Sequence, residues 1–362
     1  MKFVFSFIIA TLFFFNVHAQ TAYSISGIVT NVLGMPMQAA SVFAQNTTLG
    51  TVTDADGKFT INLPAGGFDL VFSYTGYKTE SRRVSAAEAN QKLEIKLAEK
   101  EKELESVSVV SSNEVMNGIE KYGAFFKEEF IGKTENAKNC EIQNPEVLHF
   151  FFSKKKNRLK ITATEQLVIK NNALGYTLKY ALDSFTHEYK TEMSTFTGFP
   201  FYENMAADSL QQLKWNDARA TAYKGSTLHF MRSLYNKTLK EEKFEVQFVV
   251  NVLGKDEAIK LKDIYGSLDY SKDDSTQTVE IMPNQPNVGI LYLAAKPNAV
   301  YLSENKNEPK NFRFSILSIK PKESIVIEQN GYYYDQNDIT TSGYWSWEKI
   351  ADQLPYDYKN EL

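Results

Sequence analysis

Along much of this chain hydrophobic and polar positions alternate, the period of strands that bury one face. The clearest stretch is Thr51-Val-Thr-Asp-Ala-Asp-Gly-Lys-Phe-Thr-Ile-Asn-Leu63, in which Phe59, Ile61 and Leu63 alternate with Thr60 and Asn62. The turn before them, Asp54-Ala-Asp56-Gly57, joins a residue that accepts local backbone hydrogen bonds to one that tolerates positive φ, which predicts a hairpin. Upstream, Ser24 to Val29 reads as a strand ended by Asn31 and Gly34. Pro36 then starts a run through Ala40, Val42 and Phe43, and Asn46 to Gly50 is a further turn. Downstream, Phe68, Leu70, Phe72 and Tyr74 alternate until Gly76, and Leu93, Ile95 and Leu97 alternate with Lys92, Glu94 and Lys96. Roughly seven short strands at this spacing predict a small β-sandwich over residues 21–99.

A linker over residues 100–116 follows. The alternating charges of Glu99-Lys-Glu-Lys-Glu103 belong to a solvated spacer, and Leu104 to Val110 alternates Val107 and Val109 with serines. The period then turns helical from Gly118 to Ile131, with Ile119, Tyr122, Phe126 and Phe130 on one face. Phe150-Phe-Phe152 and Leu159, Ile161, Ala163 flank the polar turn Lys154-Lys-Lys-Asn157, and a hairpin tip accounts for the three lysines better than an anion contact. Tyr176, Leu178, Tyr180 and Leu182 alternate after the turn Asn171–Gly175. Between Asp208 and Asn236 the reading is helical again. Leu210 and Leu213 share a face, Gly225 breaks the run, and Ser226 caps a second helix bearing Leu228, Met231 and Tyr235. Strands resume at Val246–Val252, Val288–Tyr292 and Phe312–Ile316, and Trp347 to Leu354 reads as a short helix stopped by Pro355. The predicted fold class is mainly β with some α: a seven-stranded Ig/transthyretin-like β-sandwich, then a β-rich α+β domain over residues 117–362 with a helical insertion.

The first module carries a resemblance. Gly27-x-Val29, Gly34-x-Pro36, Ala40-x-Val42 and Thr53-Asp-x-x-Gly57-x-Phe59 resemble, in order, the carboxypeptidase regulatory-like domain, a transthyretin-like sandwich. The same module precedes the plug of many TonB-dependent outer-membrane receptors of Gram-negative bacteria, and Leu104 to Val110 is similar to the strand that opens that plug. The resemblance covers about a fifth of the chain. It implies a fold and interaction unit with no catalytic residues to carry over, because a fold alone transfers no chemistry. About 250 residues remain beyond it, too few for a plug and a large barrel, so a complete receptor is not the expectation here. A looser likeness to uncharacterised exported proteins spans Arg219 to Leu234 and Gly343 to Pro355 and brings no activity.

Composition bounds the partners. A length of 362 residues suits two or three domains, and 43% hydrophobic residues with 25 Phe and 20 Tyr supply a sizeable core. The formal charge of −4 without a clustered basic surface argues against nucleic acid. Lys2, the apolar run Phe3 to Phe15 and Val17-His-Ala19 form a signal peptide over residues 1–19, cut after Ala19. That run is too short for a permanent span, so no transmembrane helix is expected in the mature chain. The expected location is the periplasm or the outer-membrane surface of a Gram-negative bacterium.

Candidate chemistry is sparse. Cys140 is the lone thiol, which excludes an intramolecular disulfide. His149, His187 and His229 sit outside any zinc-peptidase spacing, and no G-x-S-x-G, P-loop or G-x-G-x-x-G occurs, so neither cofactor nor metal is expected. Arg219, His229 and Arg232, with Tyr223 nearby, form a candidate anion site; capping or snorkelling accounts for the same residues. Tyr333, Trp345 and Trp347, from the runs Tyr332–Tyr334 and Tyr344–Trp347, form a candidate partner-binding patch, against the alternative of aromatics closing a β-rich core. The pairs Asp273 with Asp274 and Asp335 with Asp338 read as loop tips. The expectation is an exported, non-catalytic cell-envelope protein that binds or assembles with a protein or glycan. The alternative is a glycan-directed acid/base hydrolase using carboxylates of the second domain.

Overall fold

The computed structural model describes residues 22–86, 91–100, 113–334 and 338–360; the expected signal peptide, the Leu104–Val110 segment and Asp335 lie outside them. The first module contains β1 (Tyr23–Asn31), β2 (Ser41–Ala44), β3 (Gly50–Val52), β4 (Lys58–Leu63), β5 (Phe68–Ser73), β6 (Glu80–Val84) and β7 (Lys92–Leu97). One sheet runs β4-β1-β7, with β1 antiparallel to β4 and parallel to β7; the other runs β3-β2-β5-β6. The alternation in β4 sends Phe59, Ile61 and Leu63 inward, where they meet Ile25, Val42, Leu70 and Phe72 in one core. In the hairpin turn, Asp54 Oδ1 accepts from the amides of Asp56 and Lys58. Gly57 sits at φ +73°, and a Cβ there would lie 2.5 Å from the Val29 carbonyl oxygen. The sandwich expected from the sequence is present.

The second region is β-rich with few helices. It begins with α1 (Gly118–Phe130), α2 (Glu135–Lys138), β8 (Cys140–Ile142), β9 (Leu148–Ser153), β10 (Arg158–Ala163), β11 (Leu167–Asn171), β12 (Tyr176–Glu188) and β13 (Met193–Asn204). The long β12 pairs with β13 along one edge and with β11 and then β10 along the other; β8 and β9 complete the sheet. Phe126 and Phe130 of α1 pack on this sheet, while Ile119, expected on the same face, is 41% exposed. The three lysines stand at the β9–β10 hairpin tip and are exposed.

Two helices follow, α3 (Ser209–Tyr223) and α4 (Thr227–Tyr235), capped by Asp208 and Ser226. Leu210 and Leu213, read from the sequence as sharing one face of α3, are more than 60% exposed, and the helix buries Trp215, Arg219, Ala220 and Tyr223. Residues 215, 219 and 223 repeat every four positions, so the buried stripe is centred on an arginine and two aromatics.

Beyond α4 come β14 (Phe244–Val252), β15 (Lys255–Lys260), α5 (Ile264–Ser267), β16 (Ser271–Asp273), β17 (Thr278–Ile281), β18 (Asn287–Tyr292), α6 (Ala299–Glu304), β19 (Arg313–Ile319), β20 (Ile325–Ile327), β21 (Ile339–Gly343) and α7 (Tyr344–Trp347). They form one sheet ordered β15-β14-β18-β19-β21 and a smaller one ordered β16-β17-β20. Their shared core includes Phe230, Met231 and Leu234 of α4, whereas Leu228 belongs to the core under β12. Helix α4 therefore ties two cores together. The helix expected over Trp347–Leu354 is instead two separate turns, α7 and a 3-10 turn at Ile350–Asp352, with Glu348 extended between them. That break turns Glu348 toward Arg313.

Candidate functional site

The sandwich docks on the second region at two points, with a cleft of about 810 Å³ alongside. At the first point the β2–β3 turn wedges between the free edge of β13 and the C-terminal segment. The Asn46 amide donates to the Pro200 carbonyl, the Tyr202 amide donates to Thr47, and the Tyr356 amide donates to Asn46. Thr48 adds its amide and hydroxyl to the Asp357 carboxylate. Gly50 lets the Phe201 ring come close, since a Cβ there would lie 2.7 Å from that ring, which packs at a tilt against Phe43. A strand edge otherwise left open is thus satisfied by a loop.

The second point is a charged cluster. Arg83 of β6 donates to Glu328 Oε1 at 2.5 Å and to the Tyr334 hydroxyl at 2.5 Å, and it faces Asp69 at 3.6 Å. Its guanidinium lies 4.2 Å from the Tyr334 ring centre and 4.8 Å from that of Tyr332. The Tyr332 hydroxyl donates to Asp69. Glu328 is 3% exposed, so its charge is answered inside the protein.

Between these points the cleft is walled by aromatic rings, among them Phe199, Tyr332, Tyr333 and Tyr334, and by four carboxylates, Asp69, Asp183, Glu348 and Asp352. Burial pushes the Glu348 carboxyl up to about 8, against the pull of Arg313 at 3.4 Å. Burial also lifts Asp352 to about 6, although Thr134 and Asn136 donate to its oxygens. Partial desolvation raises Asp183. The arrangement offers ring faces and hydrogen-bond acceptors to a ligand that brings its own donors.

Of the aromatic candidates, Tyr333 and Trp345 line this cleft. Trp345 is 6% exposed, stacks on Phe230 and donates its indole N–H to the Gly225 carbonyl, so most of it is core rather than outer surface. Trp347 lies elsewhere, against Tyr301 and Tyr344. The three therefore do not form one patch. Of the candidate anion residues, His229 and Arg232 both lie against the Tyr223 ring, at 4.6 Å and 5.6 Å, with their polar atoms turned to other partners. Arg219 stacks 3.9 Å over Tyr176 and donates to the carbonyls of Leu174 and Gly175. Arg232 donates to the carbonyls of Asn330 and Tyr356. His229 Nδ1 accepts from the Gly225 amide while Nε2 meets Glu242 at 3.0 Å, and burial lowers its pKa. These donors are spent on backbone carbonyls and a neighbouring carboxylate, which makes the trio a set of internal ties. Cys140 is buried and its thiol is pushed up to about 12, far from a reactive thiolate. Asp273 serves a turn, accepting from Ser275.

Sequence reasoning missed Asp69, Arg83, Asp183, Glu328, Glu348 and Asp352. Among the described residues no group of three or more His, Cys, Asp or Glu is placed to hold a metal, and no helix is long and apolar enough to cross a membrane.

With the geometry in place, the comparisons with known proteins concern the docked sandwich. Residues 25–109 match the CarboxypepD_reg-like domain family. Within that region the chain is similar to TonB-dependent receptor P39 of Formosa agariphila, at 37% identity over 65 residues, 18% of this chain and 6% of that receptor. It is likewise similar to TonB-dependent receptor SusC of Bacteroides thetaiotaomicron, at 36% identity over 63 residues, 17% of this chain and 6% of that receptor. A match to TonB-dependent receptor P3 of Formosa agariphila reaches 27% identity over 120 residues, 33% of this chain and 11% of that receptor. The chain thus spans only 6–11% of the length of these curated relatives. A DUF3823 family protein from Bacteroides ovatus covers 52% of this chain and 83% of its own, at 9% identity and a TM-score of 0.18, too low to carry an argument.

Proposed function

We propose that this is an exported cell-envelope protein with a binding or accessory role, and that the cleft between its sandwich and its second region holds a glycan without transforming it. The carrying observation is that this cleft combines aromatic walls with carboxylates at the junction of two docked parts. Ring faces cover the apolar side of a sugar and acceptors meet its hydroxyls. The similarity of the sandwich to outer-membrane receptors supports an envelope location on the periplasmic or surface side.

Titration calorimetry of the purified protein against neutral oligosaccharide series tests this. Binding to at least one series that Phe199→Ala weakens about tenfold supports it, since a lost aromatic contact is worth that order. No binding to any series, or binding indifferent to Phe199→Ala, sinks it.

A second reading, acid/base hydrolysis of the same glycan, is favoured by Glu348 and Asp352 lining one cleft with raised pKa values. Release of reducing ends that Glu348→Gln abolishes would establish it. Intact ligand recovered after prolonged incubation would leave binding alone.

A further inference from the structure

We propose that the cleft continues past Asp183 into a second subsite, and that the ligand is an extended, neutral, polyhydroxylated chain lying across both; this rests on reading the cleft as a glycan site. Asp183 lines the cleft and also an adjoining cavity of about 560 Å³ between the sandwich and the β12 sheet. The backbone places it there. The ladder between β12 and β13 shifts register between Leu182 and Ser184, leaving Asp183 in a bulge, and a bulge re-aims the side chain it carries. Opposite the bulge, a Cβ on Gly198 would lie 2.4 Å from the Ala181 carbonyl oxygen, so the strands approach closely at this point. The Asp183 carboxylate accepts no hydrogen bond among the described residues, although Lys100 acts on it electrostatically. It is an acceptor left open where the two cavities meet.

The adjoining cavity has the lining a polyol needs. Ser73, Thr75 and Gln166 line it with hydroxyls and an amide, groups that both donate and accept, while Asn144 is tied to the backbone of Gln166 and Val168. Tyr74, 37% exposed, lies edge-on to Tyr77 at 5.5 Å and supplies a ring face. Charge explains why a neutral chain fits better than an ion. Arg83 is matched by Asp69 and Glu328, and Lys179 by Glu203 at 2.7 Å. Glu165 and Lys100 also border the second cavity with opposite signs. With fixed charges of both signs largely paired, an anion or a cation gains little, while hydroxyls can use every acceptor that remains.

The test uses malto-, cello- and xylo-oligosaccharides, each as a short and a long member, titrated into wild type, Asp183→Asn, Tyr74→Ala and Phe199→Ala after their melting curves are matched. Wild type should bind the long member about tenfold more tightly than the short one, the worth of a charge-assisted hydrogen bond or one stacked ring. Tyr74→Ala, which touches only the adjoining cavity, should lose that gain and keep the affinity for the short member; Asp183→Asn, at the junction, should lose the gain and weaken the short member less than the long one, whereas Phe199→Ala should weaken both alike. Carbodiimide labelling of the wild type reads the same point without a variant: Asp183 should label in the free protein and be protected more strongly by the long member than by the short one. Variants that bind the long member like wild type, or an Asp183 that never labels, overturn the second subsite and leave the cleft reading standing. Absence of binding in all three series overturns both.

Discussion

Arg83→Ala is the sharpest perturbation of the docked arrangement. In the wild type the guanidinium contacts Glu328 at 2.5 Å and Asp69 at 3.6 Å, with side-chain exposures of 29% for Arg83 and 5% for Glu328. Removing it strands a carboxylate that solvent barely reaches. Breaking a buried pair from one side costs about 3–5 kcal/mol. The Tyr334 hydroxyl still donates to Glu328 and Arg83 is partly exposed, so the expected loss is about 2–4 kcal/mol. Glu328→Gln, which removes the charge but keeps a polar group, should cost about 1–2 kcal/mol. The double variant Arg83→Ala/Glu328→Gln removes both charges and should fall short of the summed single losses by about 1–3 kcal/mol. Equilibrium urea unfolding followed by tryptophan fluorescence measures all four proteins. Urea is chosen over guanidinium because a salt would screen the pair. The pair bridges the sandwich and the second region, so part of the loss should appear as an earlier transition in which the sandwich detaches. Losses that add within about 0.5 kcal/mol would show that Glu328 does not depend on Arg83 and would refute the reasoning.

Further outcomes follow from single residues. Gly57→Val forces a β-branched residue into φ +73° against the Val29 carbonyl and should cost about 2 kcal/mol or more; an unchanged melting temperature counts against the turn. Trp345→Ala empties a packed site beside Phe230 and should cost about 3–5 kcal/mol in urea unfolding, while a neutral result would mean the ring is not core. For Glu348 the folded state holds the proton more tightly than the unfolded chain. The stability it contributes is complete below about pH 4.5 and lost as pH rises through about 8. Glu348→Gln should therefore lessen the fall in stability between pH 5 and 8 by on the order of 2–4 kcal/mol, and stability curves that stay parallel across that range would remove the case for a buried, raised carboxyl.

The fold was legible where a local period decides it. Phe59, Ile61 and Leu63 in β4, the Asp54–Gly57 turn, α1 and the β9–β10 hairpin follow from alternation and turn chemistry over a few residues. Helix α3 was recognised as a helix, yet its buried face was not. Leucines at 210 and 213 weigh more on any hydrophobic scale than Arg219, and nothing local says that the Leu174 and Gly175 carbonyls await a guanidinium. The cleft was the least legible part. Asp69 and Arg83 of the sandwich meet Asp183, Glu348 and Asp352 of the second region only through the way the sandwich docks. Only the run Tyr332–Tyr334 announced itself by density, and it supplies the cleft's aromatic wall. Trp345 shows the opposite error, since density alone does not separate a core ring from a surface ring.

The central claim is that a ligand sits between the sandwich and the second region. Hydrogen–deuterium exchange of the wild type, with and without a saturating oligosaccharide from a series that binds, addresses it most directly. The account predicts added protection in the amides around residues 45–46, 83, 183, 196–200 and 332–334, which come together only at the cleft. Protection confined to another surface, or exchange unchanged at these segments while calorimetry reports saturation, would contradict it.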